Sequence, residues 1–325
     1  MTRLKMISIA ILASLTSLAQ ASEFDALINA KKYAEAEKLA NLRIAADPSH
    51  ADALIAKVRI ILAEARQDKF DEAVKLSELC IAKHPQNSEC HEANGNVLAA
   101  KAQRSSVFTA MGLAGKIKEA YLQAVELNPK NYSARGSLMQ FYLIAPAVAG
   151  GGKDKAEALV SDTQKYSPSA ASLLQCSLDL KEEKLSKAET AATQVAVAGA
   201  DDLMRLQRNV MFAIGQTYLG KKSYTDAERV FQELMQKYPD KYQGSFGLGR
   251  TYQEQGKHKE ALLALEKSLS LDNSATINYR VAQSLLALNE KSRALQFYEK
   301  SLQLVPTLST KFKEDAQLQI KQLRS

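Results

Sequence analysis

The chain has 325 residues, with 43 Lys and Arg against 36 Asp and Glu and a formal charge of +7 at pH 7. The excess is mild and spread out, with no run of five or six like charges, which argues against nucleic-acid binding. Four histidines and three cysteines leave little for metal or acid–base chemistry.

The N-terminus reads first. Met1-Thr2-Arg3-Leu4-Lys5 is basic, Met6 to Leu18 is apolar, and Ala19-Gln20-Ala21 supplies a small-x-small exit. Together they predict a secretory signal peptide over 1–21, cleaved after Ala21. The apolar run falls short of the roughly 18–20 residues that a membrane-spanning helix needs, and no other stretch is apolar enough to span. No cysteine follows the cleavage site, which argues against a lipoprotein. The expected location is the periplasm of a Gram-negative envelope.

After Ser22, apolar residues recur at three- and four-residue spacing, the signature of amphipathic helices. A ruler runs through them. Ala36/Pro48, Ala73/Pro85, Ile117/Pro129, Ala156/Pro168, Ala227/Pro239 and Ala294/Pro306 are all twelve apart. Ala188/Ala200 and Ala261/Asn273 keep the spacing without the proline. About eight copies of one helix pair follow, and such a period dictates a stacked array. The proline ends a second helix, because it cannot donate the next backbone hydrogen bond.

In chain order, residues 22–199 hold the irregular copies. Cys80 and Cys90 flank the turn at Pro85. They either form a local disulfide in an oxidising compartment or pack as small residues, while Cys176 reads as a buried thiol. The third copy carries extra residues over 101–116, and the fourth over 144–152. Both insertions fall between the two helices of a copy. Val107, Phe108, Met111 and Leu113 are too apolar for a free loop, and either fold back as local core or form an exposed edge site. Extra residues at Ala200-Asp201-Asp202 mark a seam, and 200–306 holds regular copies. There Gly215, Gly249 and Ala282 allow close helix approach, matched by Ala227, Ala261 and Ala294. The tail, 307–325, keeps Phe312, Ala316, Ile320 and Leu323 on one face, as a capping helix requires.

Ile214-Gly215-Gln216-Thr217-Tyr218, followed by the small Ala227, the aromatic Phe231 and the closing Pro239, and Leu248-Gly249-Arg250-Thr251-Tyr252, followed by Ala261, resemble tetratricopeptide (TPR) repeats. Tyr33-Ala34-Glu35-Ala36 and Phe70-Asp71-Glu72-Ala73 match more weakly. The resemblance implies an all-α, right-handed α-solenoid of about eight helix pairs with a C-terminal capping helix. It also implies that the first helix of each pair lines a concave groove. On those helices Phe212, Phe246 and Tyr279 recur one per copy, with Gln216, Arg250 and Gln283 four residues on. Asn209 and Gln243 lie about one turn earlier, and Arg280 adds a second cation. Rings would cover apolar side chains of an extended peptide, amides would pair with its backbone, and arginine would take a carboxylate.

Other chemistry fails on its own terms. Gly150-Gly151-Gly152-Lys153 lacks a phosphate loop's first glycine, where Ala147 stands, and its hydroxyl, where Asp154 stands. Cys80, His84, Cys90 and His91 cluster, but the second pair is adjacent and diverges on a helix, so no metal is expected. No cofactor and no catalytic constellation is expected either. The reading is a non-enzymatic scaffold that docks a protein or peptide, without nucleic acid and without an integral membrane segment after cleavage. The alternative is a fixed component of a secretion, pilus or polysaccharide-export assembly, docked through the insertion edge.

Overall fold

The computed structural model describes residues 23–197 and 201–324, and the signal-peptide reading of 1–21 lies outside them, as does Ala200 at the seam. Every regular element among the described residues is helical. Contacts divide the chain into two compact units, up to Ala134 and from Arg135 onward.

The first unit contains α1 (23–29), α2 (Tyr33–Ala46), α3 (Ala51–Ala63), α4 (Phe70–Lys83), α5 (Ser88–Ala102) and α6 (Val107–Leu127). The boundary falls inside α7 (Tyr132–Ile144). The second unit continues with α8 (Lys153–Gln164), α9 (Pro168–Lys181), α10 (Leu185–Gln194), α11 (Asp201–Gly220) and α12 (Tyr224–Lys237). It ends with α13 (Gln243–Glu254), α14 (His258–Leu271), α15 (Ala275–Ala287), α16 (Lys291–Gln303) and α17 (Thr310–Arg324). In each unit, helices neighbouring in sequence pack on one another, as an α-solenoid requires.

The ruler marks explain the packing. Ala36, Ala73, Ala156, Ala188, Ala227, Ala261 and Ala294 are all fully buried. They sit on second helices, and in two copies a glycine on the first helix allows the second to approach. A Cβ added at Gly215 would lie 2.5 Å from the Phe231 ring, and one at Gly249 would lie 2.6 Å from Leu265 Cγ. Most prolines stand between helices as expected, but Pro168 opens α9 behind its N-cap Ser167. There the missing N–H costs nothing.

A second regularity is conformational. Lys31, Ala65, Glu183, Lys222, Gly256 and Asn289 all have positive φ, between 49° and 73°. Each ends the first helix of a pair. The next residue's N–H reaches back to the carbonyl five residues earlier, as in Ser223 to Tyr218 at 2.9 Å and Arg66 to Ile61 at 3.1 Å. This is the Schellman closure.

The pairs α5/α6 and α7/α8 close differently, and these carry the two insertions. Segment 101–116, expected as an enlarged turn, is mostly helix. α5 runs to Ala102, and α6 starts at Val107 with the Ser106 hydroxyl accepting from the Thr109 N–H. No proline falls in the segment and no glycine in its first turn, so helix wins over loop despite Gly112 and Gly115. α6 therefore has 21 residues where α2, α4, α12 and α14 have 14 each. Segment 144–152 is a real turn, with one 3-10 turn at Ala147–Ala149. A Cβ on Gly151 would meet the Ala145 carbonyl oxygen at 1.8 Å, and Gly152 has φ +140°. Lys155 donates to the Gly150 carbonyl at 3.1 Å, and Lys153 is paired with Glu182. The glycine run is thus a backbone turn whose lysines are already engaged.

Cys80 and Cys90 are joined as a disulfide, with both residues buried and their Cα atoms 5.5 Å apart. That uses both sulfurs of the Cys/His cluster. His84 Nε2 meets the Ser49 carbonyl at 2.5 Å, and His91 Nε2 meets the Pro85 carbonyl at 3.0 Å. Burial pushes the lone Cys176 thiol up to about 12, so it stays protonated and unreactive.

Candidate functional site

The expected ring ladder on the first helices of the second unit is corrected by packing. Phe246 is 9% exposed and Tyr279 3%. Phe246 sits 6.5 Å from Phe212 and 6.2 Å from Tyr242, and Phe212 sits 5.8 Å from Phe231. Gly215 lets Phe231 come in against α11, and Phe212 and Phe246 pack beside it. Tyr279 stacks on Phe312 of α17 at 4.8 Å and donates to Asp315 at 2.7 Å. The rings fill gaps between helices, and only Phe212 stays half-buried.

The polar members behave differently. Asn209 is exposed, while Gln216, Gln243, Arg250, Arg280 and Gln283 are half-buried. Arg250 donates to the Gln216 amide oxygen on the neighbouring first helix. Arg280 lies over Phe312 at 5.2 Å and donates to Gln283 at 3.1 Å, and Gln283 donates to the Tyr279 hydroxyl at 2.9 Å. Sequence reasoning missed Arg208, on α11, whose guanidinium lies over Tyr238 at 5.8 Å. It also missed Gln253, which donates to the Arg280 carbonyl and to Ser284, both at 2.8 Å.

The electrostatics single out three of these groups. Arg135, Arg205, Arg229, Arg293 and Arg324 each hold a carboxylate. Arg208, Arg250 and Arg280 have no ion pair among the described residues; rings and amides hold them instead. Burial lowers all three guanidiniums from their ordinary value, and at Arg250 the nearby charge of Arg280 adds to it. Arg208 Nε, Arg250 Nε, Arg280 Nε and Gln216 Nε2 are buried donors without a protein acceptor. Such donors ordinarily find a partner. A fixed planar fork of this kind recognises a carboxylate bidentately.

The first unit shows desolvated charge of the opposite sign, at a different register. Asp52 and Glu89 stand four residues after Pro48 and Pro85, as Gln243 stands four after Pro239. Burial raises both carboxyl groups, and at Glu89 the charge of Glu92 adds to the effect. Glu92 accepts from Asn131 at 2.9 Å and Ser133 at 2.5 Å. Offset from the proline was the signal that could have found these acids.

At the insertion edge, Val107, Phe108 and Met111 are exposed and Leu113 is half-buried. The local-core alternative fails for the first three.

The comparisons agree with this fold. The family model described as tetratricopeptide repeat matches residues 212–276 and 246–309. No curated protein matches the chain. The crystal structure of yeast Tom70 is similar over 90% of this chain, with a TM-score of 0.61 and 15% identity. This chain spans 60% of that one. A tetratricopeptide repeat protein from Parabacteroides merdae covers 94% of this chain and is itself covered over 97%, at TM-score 0.45 and 16% identity. The fold class is that of TPR solenoids, a class of protein-interaction scaffolds. The tetratricopeptide repeat model matches the chain over 212–309, and the fold of the chain is similar to that of TPR solenoids.

Proposed function

We infer that this protein is an exported, non-catalytic scaffold that reversibly docks an acidic peptide segment of a protein partner. The docking surface is the first-helix face of α11, α13 and α15. The observation that carries this is the set of three desolvated, unpaired arginines with unfilled donors. Asn209, Gln243 and Gln283 flank them as further hydrogen-bonding groups. A partner carboxylate supplies the missing charge and acceptors, while Phe246 and Tyr279 hold the helices that aim the arginines.

Export to a periplasm is supported by the basic–apolar–small N-terminus and by the Cys80–Cys90 disulfide, which suits an oxidising compartment. No helix among the described residues is long and apolar enough to cross a membrane.

The test is in-cell photo-crosslinking from position 216 or 283, with and without Arg250→Glu and Arg280→Glu. The charge-reversed protein should lose its adducts while its helical circular dichroism is retained. Adducts that persist unchanged would remove this reading.

A further inference from the structure

We propose that the first two turns of α6 dock on an anionic lipid surface, with the apolar tip entering the interface and Lys116 and Lys118 meeting headgroup phosphates. The extra length of α6 emerges at its N-terminal end, ahead of Ala114, its first buried residue. That end is apolar and bare. Val107 is 78% exposed and Phe108 91%, and Met111 is exposed beside them. A Cβ added at Gly112 or Gly115 would meet nothing within 4 Å. Phe108 lies opposite the face formed by Ala114, Ile117 and Tyr121, so it points away from the core.

Charge supplies the second half. Between Glu92 and Glu119 there is no acidic residue, while Lys101, Arg104, Lys116 and Lys118 all fall there. Lys101 is paired with Asp71, and Arg104 lies over the Phe70 ring at 5.5 Å. Lys116 and Lys118 have no ion pair among the described residues. They stand about 12 and 15 Å behind Phe108 along the helix axis, and flexible lysine stems reach outward from such positions. An apolar tip with basic residues behind it, free of acids, matches an interface of hydrocarbon beneath anionic headgroups. A stable protein contact would need about 800 Å² on this partner, far more than three side chains present.

The chain contains no tryptophan, so Phe108→Trp is a site-specific probe. Leu263→Trp is its control, at a position that is also exposed, 71%, on α14 of the second unit. The whole chain is titrated with vesicles of phosphatidylcholine plus phosphatidylglycerol, and with phosphatidylcholine alone. The proposal expects a blue shift at 108 on the anionic vesicles only, with none at 263. Lys116→Glu with Lys118→Glu should weaken that binding about tenfold or more. Phe108→Ser should lower the bound fraction about tenfold while the melting midpoint stays put. Four outcomes overturn it: no shift, an equal shift on neutral vesicles, an equal shift at 263, or a concentration-dependent shift without lipid. The last would assign the tip to a protein contact, such as an assembly docked through this edge.

Discussion

The first helices of the two units carry partly desolvated charges of opposite sign, placed at different positions of the repeat. In the first unit, positions offset by four residues from the proline hold Asp52 and Glu89, whose carboxyls are raised by burial. In the second, Arg208, Arg250 and Arg280 are lowered by burial. Each region therefore holds like charges partly out of water, an arrangement that opposes folding. The lesson is that the helix period settles the packing positions, while the charges between them are free to differ in sign and in place from one unit to the other.

The comparison can be broken at its packing first. Phe246→Ala should cost about 3–5 kcal/mol in denaturant unfolding, as a truncated core ring does. A near-zero loss would return Phe246 to the binding face and undo the division between packing rings and recognising arginines.

The disulfide separates the two regions. Cys80→Ser with Cys90→Ser should cost about 2–4 kcal/mol. Hydrogen exchange should quicken within residues 23–134 and hold its rate beyond 135. Uniform loss of protection across the chain would contradict two independent compact units.

Acidity distinguishes the two kinds of desolvated charge. Glu89 has a folded-state value raised above its ordinary 4.5. It therefore favours folding below 4.5, and that contribution is lost as pH rises through the raised value. Glu89→Gln should raise the melting midpoint at pH 7, and the advantage should vanish below about 4.5. Arg250→Gln should also raise it, because a buried like charge beside Arg280 is removed, but its advantage should persist in acid. Parallel pH profiles for both variants would mean that neither effect is electrostatic.

The smallest effect concerns the closures. Lys222→Gly, at φ 58°, should gain about 0.5–1 kcal/mol by relieving left-handed strain, read as a shift in urea midpoint at constant m.

Much of the fold was legible because it is local. Twelve-residue spacing of alanine and proline located second helices, and the alanines proved fully buried. The insertion over 101–116 was visible as extra length. Its helical state depended on Ser106 capping a segment without proline, whose glycines at 112 and 115 lie inside the helix. The candidate site was half legible. Arg250, Gln216 and Gln283 were found by a repeating offset, and Arg280 as a second cation next to Tyr279. Burial of Tyr279 was not, because Phe312 and Asp315 reach it from α17, across more than thirty residues of chain. Arg208 escaped because it stands one residue before Asn209, outside the offsets that were aligned.

The left-handed closures have a consequence for the chain's ancestry and for its engineering. Lys, Ala, Glu, Lys, Gly and Asn occupy the same corner, each secured by a main-chain bond. A corner fastened by the main chain needs no side-chain contact, and a residue other than glycine costs it only the modest strain of the left-handed backbone. Copies can then be duplicated, deleted or grafted at these seams without preserving any particular residue. A chain with the stretch from Ser223 to Gly256 repeated once should gain one more helix pair and leave its neighbours in register.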